Sequence, residues 1–544
     1  MKRLPYAIIL LLALSVLSVS CAAEDAWLPP SAPPTSPPAL ALVFDGGVPD
    51  LLRDNAADAD PGEEETHPPP VQPTENAPVE DQVQTPTATP VVLPTPTDTP
   101  QVDLVNTAPF LYYAQAADTL PVVATRFGVD PDEITSQEPV PESAYLTPGQ
   151  LLVIPRRLTE TTSPQHTMPD SEVVFSPSAT DFDVESFIAQ AGGKLSEYSL
   201  WLKSTGVNSG AQIVERVAIE NSINPRLLLA MLEYQSGWVY GHPDDEQTVE
   251  YPMGHIERYE DGLYNQLVWA VNQLSTGYYA YREGRMIDIS YPDGSTIRLS
   301  PDLNAGSAAL QYYYAQHYSG TQWEGAIDTD LGLPALYTRM FGDPWQRAEM
   351  VEPLFPRGLE QPSLTLPIPR GETWAYTGGP HGAWERDGAF AALDFAPGAT
   401  QPGCVKSNRW ATAAASGLVV RSDNGVVALD LDGDGREQTG WVLIYLHLEE
   451  DGRVPNGSWV DAGDNLGHPS CEGGISTGTH LHIARKFNGE WIPADGPLPF
   501  NLGGWIAHAG QEPYKGTLTR DGETITACTC ANAASFVTRG DDDP

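Results

Sequence analysis

Residues 26–107 set the limits on what this chain can fold into. The stretch holds 18 of the 51 prolines and a single basic residue, Arg53. Segments such as "TPTATPVVLPTPTDTP" have too few apolar side chains to offset the entropy of ordering them. They predict an extended, acidic tether over 22–108 rather than a domain. Every folded unit must therefore be built from the residues that follow.

Before the tether, "MKRLPYAIILLLALSVLSVSCAAED" has a basic start, an apolar run and small residues. It reads as an export signal over 1–21, too short for a stable span. Ser20-Cys21 resembles a bacterial lipoprotein cleavage site, which would make Cys21 the lipidated residue. Ser18 stands where that site usually has Leu, so ordinary signal cleavage is the alternative. No later apolar run is long enough to cross a bilayer. The expected location is extracytoplasmic, either anchored at the outer face of the membrane or secreted. The net charge of −43, from 72 acidic and 29 basic residues, argues against nucleic acid as a partner. Four cysteines follow Cys21, an even set in an oxidising compartment.

Residues 109–157 change character. Asp118-Thr119-Leu120, "VATRFGVDPDEI" and "LTPGQLLVIP" resemble a LysM module, which implies a βααβ fold that binds N-acetylglucosamine-containing glycans. Residues 158–180 read as a linker. From 181 to 350 the pattern is helical: Leu263, Leu267, Val271, Leu274 and Tyr278 form one apolar stripe. "SINPRLLLAMLEYQSGW" starts with Asn224 as N-cap and Pro225 at the first helical position. This segment resembles the start of a lysozyme-like lytic transglycosylase, with Gln235 where that family has its catalytic glutamate. An amide has no proton to give at neutral pH, so the domain is expected to be non-catalytic. Glu233, about 200° around the helix, would point elsewhere.

Residues 362–510 are β-rich, and 511–544 read as a C-terminal extension. "STGTHLHIA" puts His480 and His482 two apart, on one face of an extended strand. "IYLHL" contributes His447, and "TGGPHGAWERDGAFAALDFAPG" contributes His381 and Asp394, thirteen positions apart. Together these residues resemble the zinc endopeptidases of the lysostaphin/LytM and beta-lytic family, which cut peptides in bacterial walls. Phe390 occupies the place of the first ligand histidine of the lysostaphin branch, whereas the His381–Asp394 spacing fits the beta-lytic branch. The resemblance implies one Zn²⁺ per chain on His381, Asp394 and His482, with His447 and His480 as catalytic groups.

Zinc of this kind takes three protein ligands, keeps a position for water and lowers that water's pKa to about 7. Cys404 and Cys471 are a disulfide candidate, while Cys528 and Cys530 are left open. Asp430, Asp432 and Asp434 have the spacing of a calcium loop, but Trp441 stands at the twelfth position, where glutamate is needed. A hairpin turn is the preferred reading there.

The predicted fold class is thus multidomain α+β: the βααβ module, an all-helical lysozyme-like domain and an antiparallel peptidase domain of duplicated hybrid motif type. The predicted function is a secreted or lipid-anchored zinc metalloendopeptidase acting on peptidoglycan. The competing readings are a non-catalytic wall-binding regulator of another hydrolase and a glycan-cleaving lysozyme-like enzyme.

Overall fold

A strand apolar on both faces needs partners on both edges and cover on both sides, and the strand Trp441–Leu446 shows how this chain supplies them. In the computed structural model it is central in a nine-stranded antiparallel sheet. The sheet runs in the order Trp459–Val460, Gly417–Asp423, Val426–Asp430, Trp441–Leu446, Leu481–Phe487, Ala392–Ala396, Thr373–His381 and Phe536–Thr538. The short strand Glu490–Trp491 folds back on Leu481–Phe487. The structure describes residues 108–384, 387–398, 403–530 and 532–543, all within one compact unit. The export signal, Cys21 and the tether lie outside these residues, apart from Ala108.

Alternation sorts the sheet's side chains between two cores. Leu443, Tyr445, Leu393, Phe395, Leu481 and Ile483 enter one, closed by the strands around Trp505 and Leu518. Val442, Ile444, Leu446, Ala392 and Ala484 enter the other, which is continuous with the helical region. The helices Gly210–Asn221, Pro225–Ser236, Leu263–Arg282 and Ala305–Ala315 form the body of that region.

Local chemistry explains these helices. The Asn224 side chain accepts from the Arg226 N–H, Pro225 opens the helix and Gly237 ends it in the left-handed region. All five residues of the Leu263–Tyr278 stripe are fully buried. Residues 109–157 form strand Phe110–Tyr113, helix Leu120–Phe127 and strand Leu151–Ile154. The expected second helix is only a 3₁₀ turn, Pro131–Glu133, because Thr135 already pairs with Val153 of the closing strand. Among the described residues no helix is long and apolar enough to cross a membrane.

Three boundaries change. Residues 158–180 are not a free linker, since Met168, Ser171, Glu172, Val173 and Val174 are buried in the helical body. Glu172 pairs there with Arg347, and the Val173 carbonyl accepts from Asn224 N–H. Residues 511–544 are not an appendage: Phe536–Thr538 forms the sheet edge on Thr373–His381. Gly516–Arg520 and Glu523–Thr526 extend a second, four-stranded sheet. Finally, the helical and β-rich regions share one hydrophobic core, so neither is an independent body. The physical reason is common to all three: pieces without a long periodic pattern still bury apolar surface once the sheet presents a second face to cover.

Candidate metal centre

Register brings the site together. His482 stands directly opposite Asp394 on one side and Leu446 on the other. Asp394 and His482 alternate with Leu393 and Ile483, so both face the helical side of the sheet. On the next strand the pairing slips between Tyr376 and Gly378 and again between Gly378 and His381. Such irregularities re-aim side chains next to functional sites, and here they bring His381 against Asp394. Gly378 faces Asp394 across the pair, and a Cβ there would lie 2.5 Å from Oδ2. Only glycine leaves room for this carboxylate.

The three atoms nearest the centre form a nearly equilateral triangle. His381 Nε2 and His482 Nδ1 are 3.2 Å apart, and each is 3.3 Å from Asp394 Oδ1. Ligands placed tetrahedrally at about 2.0–2.1 Å from zinc are about 3.3–3.4 Å from one another. The opposite ring nitrogens face carbonyls, which can only accept. His381 Nδ1 donates to Gly379 O at 2.7 Å and His482 Nε2 donates to Ala383 O at 2.9 Å. Neutral rings in these tautomers turn bare nitrogens inward. Asp394 Oδ1, buried between them, accepts no hydrogen bond. Three inward-facing acceptors without a donor are the arrangement a cation requires, so the donor set fits a divalent metal such as zinc.

The other two histidines follow the same rule. The strand carrying His447 ends at Leu446, and His447 itself adopts φ 67°. A non-glycine residue there costs on the order of 1–3 kcal/mol. Its carbonyl is held by the Ser470 N–H and hydroxyl. His447 Nδ1 donates to Glu472 O at 3.0 Å and His480 Nδ1 to Gly478 O at 2.7 Å, leaving both Nε2 atoms bare. The two rings are 4.5 Å apart, and His480 Nε2 is 3.6 Å from Asp394 Oδ1. His480 precedes the strand Leu481–Phe487 but is bridged to Ser470, so it keeps the extended alternation.

Burial, reinforced by His480 and His482, pushes His447 down to about 3, so its ring is neutral at ordinary pH. Burial also lowers His482. Burial alone would raise the Asp394 carboxyl, but the electrostatic influence of His381 and His480 carries it well below its usual range.

The Cys404–Cys471 disulfide forms, with Cα atoms 5.6 Å apart, and ties down the loop before His480. Thr479 N–H donates to Gly403 O and Val405 N–H to the Thr479 hydroxyl in the same tie. Cys528 and Cys530 are also joined. Gln235 accepts from Tyr318 O–H at 3.1 Å within the helical region. Glu233 caps the following turn by accepting from Val239 and Tyr240 N–H. Asp430, Asp432 and Asp434 do gather, but Asp430 is occupied by the N–H groups of Asp432, Gly433 and Gly435.

Two contributors carried no signal that periodicity could reveal. Gly378 belongs to the run "TGGPH" and makes room for Asp394. Tyr514, in the C-terminal extension, stacks on His381 with ring centroids 4.1 Å apart.

Residues 166–354 match the family model for the N-terminal domain of LasA. They include the helical segment read above as lysozyme-like. The chain is 26% identical over 358 residues to protease LasA of Pseudomonas aeruginosa, covering 61% of this chain and 78% of that protein. It is 27% identical over 143 residues to the beta-lytic metalloendopeptidase of Lysobacter enzymogenes, covering 26% and 76% respectively. A solved structure described as the M23 metalloprotease pseudoalterin is 23% identical, with a TM-score of 0.26, over 31% of this chain and 96% of that one. The chain is a homologue of the LasA and beta-lytic metalloendopeptidases.

Proposed function

We propose that this protein is a zinc metalloendopeptidase that hydrolyses peptide bonds in bacterial cell-wall peptidoglycan, acting outside the cytoplasmic membrane. His381, Asp394 and His482 hold the ion, and His447 and His480 work beside it. The observation that carries this reading is the triangle of inward acceptors at 3.2–3.3 Å. When bound, zinc supplies Lewis acidity to the scissile carbonyl and to a water.

The chain's own groups do the rest. A neutral imidazole with a bare Nε2, on His447 or His480, takes the proton of the attacking water. The resulting imidazolium N–H donates to the oxyanion and then returns the proton to the leaving amine. The backbone carbonyls of Glu472 and Gly478 keep both rings in the tautomer this requires.

The non-catalytic regulator reading has no observation in its favour, because every position of the ligand and histidine set is filled. The glycan-cleaving reading meets Gln235, whose amide carbonyl already accepts from Tyr318. Residues 109–157 would add glycan binding, and lipidation of Cys21 would keep the enzyme at the membrane face.

The test uses full-length, zinc-loaded protein on purified peptidoglycan, with products read by mass spectrometry. New peptide termini without anhydro-sugar ends are expected. His480→Ala should keep its zinc and lose cleavage. Anhydro-sugar ends from the wild type, or full cleavage by His480→Ala, would sink the assignment.

A further inference from the structure

The loop between the first two ligands is gripped from outside the sheet. His482 Nε2 is oriented by the Ala383 carbonyl at 2.9 Å. Ala383 N–H in turn donates to Ala389 O at 2.9 Å, which closes the loop on itself. The far side of this closed loop rests on the helical region. Gly388 lies so close to helix Leu263–Arg282 that a Cβ there would be 3.2 Å from Ser275 Cβ. Thr276 adds a weaker tie, since its hydroxyl donates within the helix to Asn272 O at 2.8 Å and lies 3.4 Å from Asp387 O of the loop.

The polar anchor is Arg285, just beyond the helix. Its Nη2 donates to Gly388 O at 3.3 Å, and its guanidinium lies 4.6 Å from the centroid of the Phe390 ring. Nε is held by Glu283 at 2.7 Å, which fixes the plane of the fork. Phe390 O accepts from Ala494 N–H at 2.9 Å, so the loop is held at that end as well.

We propose that Arg285 is a positioning residue for the metal centre: it holds the Gly388–Phe390 end of the loop whose Ala383 carbonyl orients His482. The inference rests on the zinc reading of the site. Partners that orient metal-bound imidazoles act on affinity, typically by 10–100-fold. Through Arg285 the helical region enters the metal chemistry without touching the ligands. Lysine would keep the charge but lose the planar contact with both Gly388 O and the Phe390 ring.

The experiment measures zinc affinity of the full-length protein by chelator competition, alongside the melting temperature of the metal-free form. Arg285 is partly exposed, so Arg285→Ala leaves the core intact. Its zinc affinity is expected to fall about tenfold, with the metal-free melting temperature unchanged. Arg285→Lys should fall between the two, and the visible spectrum of the cobalt-substituted Arg285→Ala protein should differ from wild type.

Arg339→Ala, exposed on helix Leu333–Phe341, should change neither readout. Equal zinc affinity in wild type and Arg285→Ala would overturn the proposal while leaving the metal site standing. So would a loss of affinity matched by an equal loss of metal-free stability. A wild type that binds no zinc would instead overturn the metal reading itself, and this inference with it.

Discussion

Two of the places where the protein buries carboxylates lie along the same stretch of sheet and are neutralised differently. At the metal centre, Asp394 faces three imidazoles whose inner nitrogens are bare in the tautomers their carbonyl partners require. Among the described residues no lysine or arginine pairs with it. At the other place, Arg282 reaches Glu490 through two bonds of 2.9 Å and Asp170 at 3.1 Å. Arg282 also donates to Tyr278 O–H at 2.7 Å and to the Ala116 carbonyl. That one guanidinium joins residues 109–157, the helical body and the hairpin that extends the His482 strand.

A buried charge must be paired or the fold loses several kcal/mol. The Arg282 cluster carries its cation in the chain; the Asp394 cluster leaves its inward acceptors without a donor, a gap that the proposed zinc would fill. The difference teaches that a functional cation site is recognised by the missing donor rather than by the count of acids.

Removing part of each cluster should therefore have different consequences. The largest effect belongs to His381→Ala, which should fall from about one zinc per chain to almost none. Metal analysis after dialysis checks it, and full retention of zinc would erase the contrast. Next, Arg282→Ala should cost about 3–5 kcal/mol of stability by leaving Glu490 and Asp170 uncompensated. Urea denaturation measures this loss, and adding Glu490→Gln to Arg282→Ala should recover part of it.

A smaller effect is on pH dependence. Burial raises Glu490 from 4.5 to about 7, with Arg282 opposing, and burial and Asp170 raise Glu352 to about 7 as well. The native state then binds more protons than the unfolded chain between those values, so stability falls as pH rises through that window. Urea midpoints at about pH 5 and pH 8 should show this slope, and Glu490→Gln should flatten it.

The smallest effect concerns the acidic turn. Asp430→Ala should cost about 1–3 kcal/mol by stranding backbone donors, and added calcium should leave the melting temperature of the wild type unchanged. A calcium-dependent rise would make the turn a third cation site.

Some of this was written locally. The alternation around His480 and His482, the Asn224–Pro225 helix start and the Leu263–Tyr278 stripe depend on neighbours within a few residues, and the structure contains each of them. The five residues proposed for the site were named from motifs, each of which keeps its side chain type at a fixed local offset, and the structure brings them together. What the chain's local pattern could not state was register. Gly378 matters only because it lands opposite Asp394, and Tyr514 only because its loop returns to His381. Ala383 matters through a carbonyl, which any residue would carry.

The division into separate domains failed for the same reason. Periodicity marks which face of a strand is apolar, not which distant element will cover it, and here the helices cover the face that also bears the ligands. The sequence by itself determined the helices, the strands and the kinds of side chain available to hold a metal. The tertiary structure alone decided their meeting, because strand pairing and shared burial act between residues far apart in the chain.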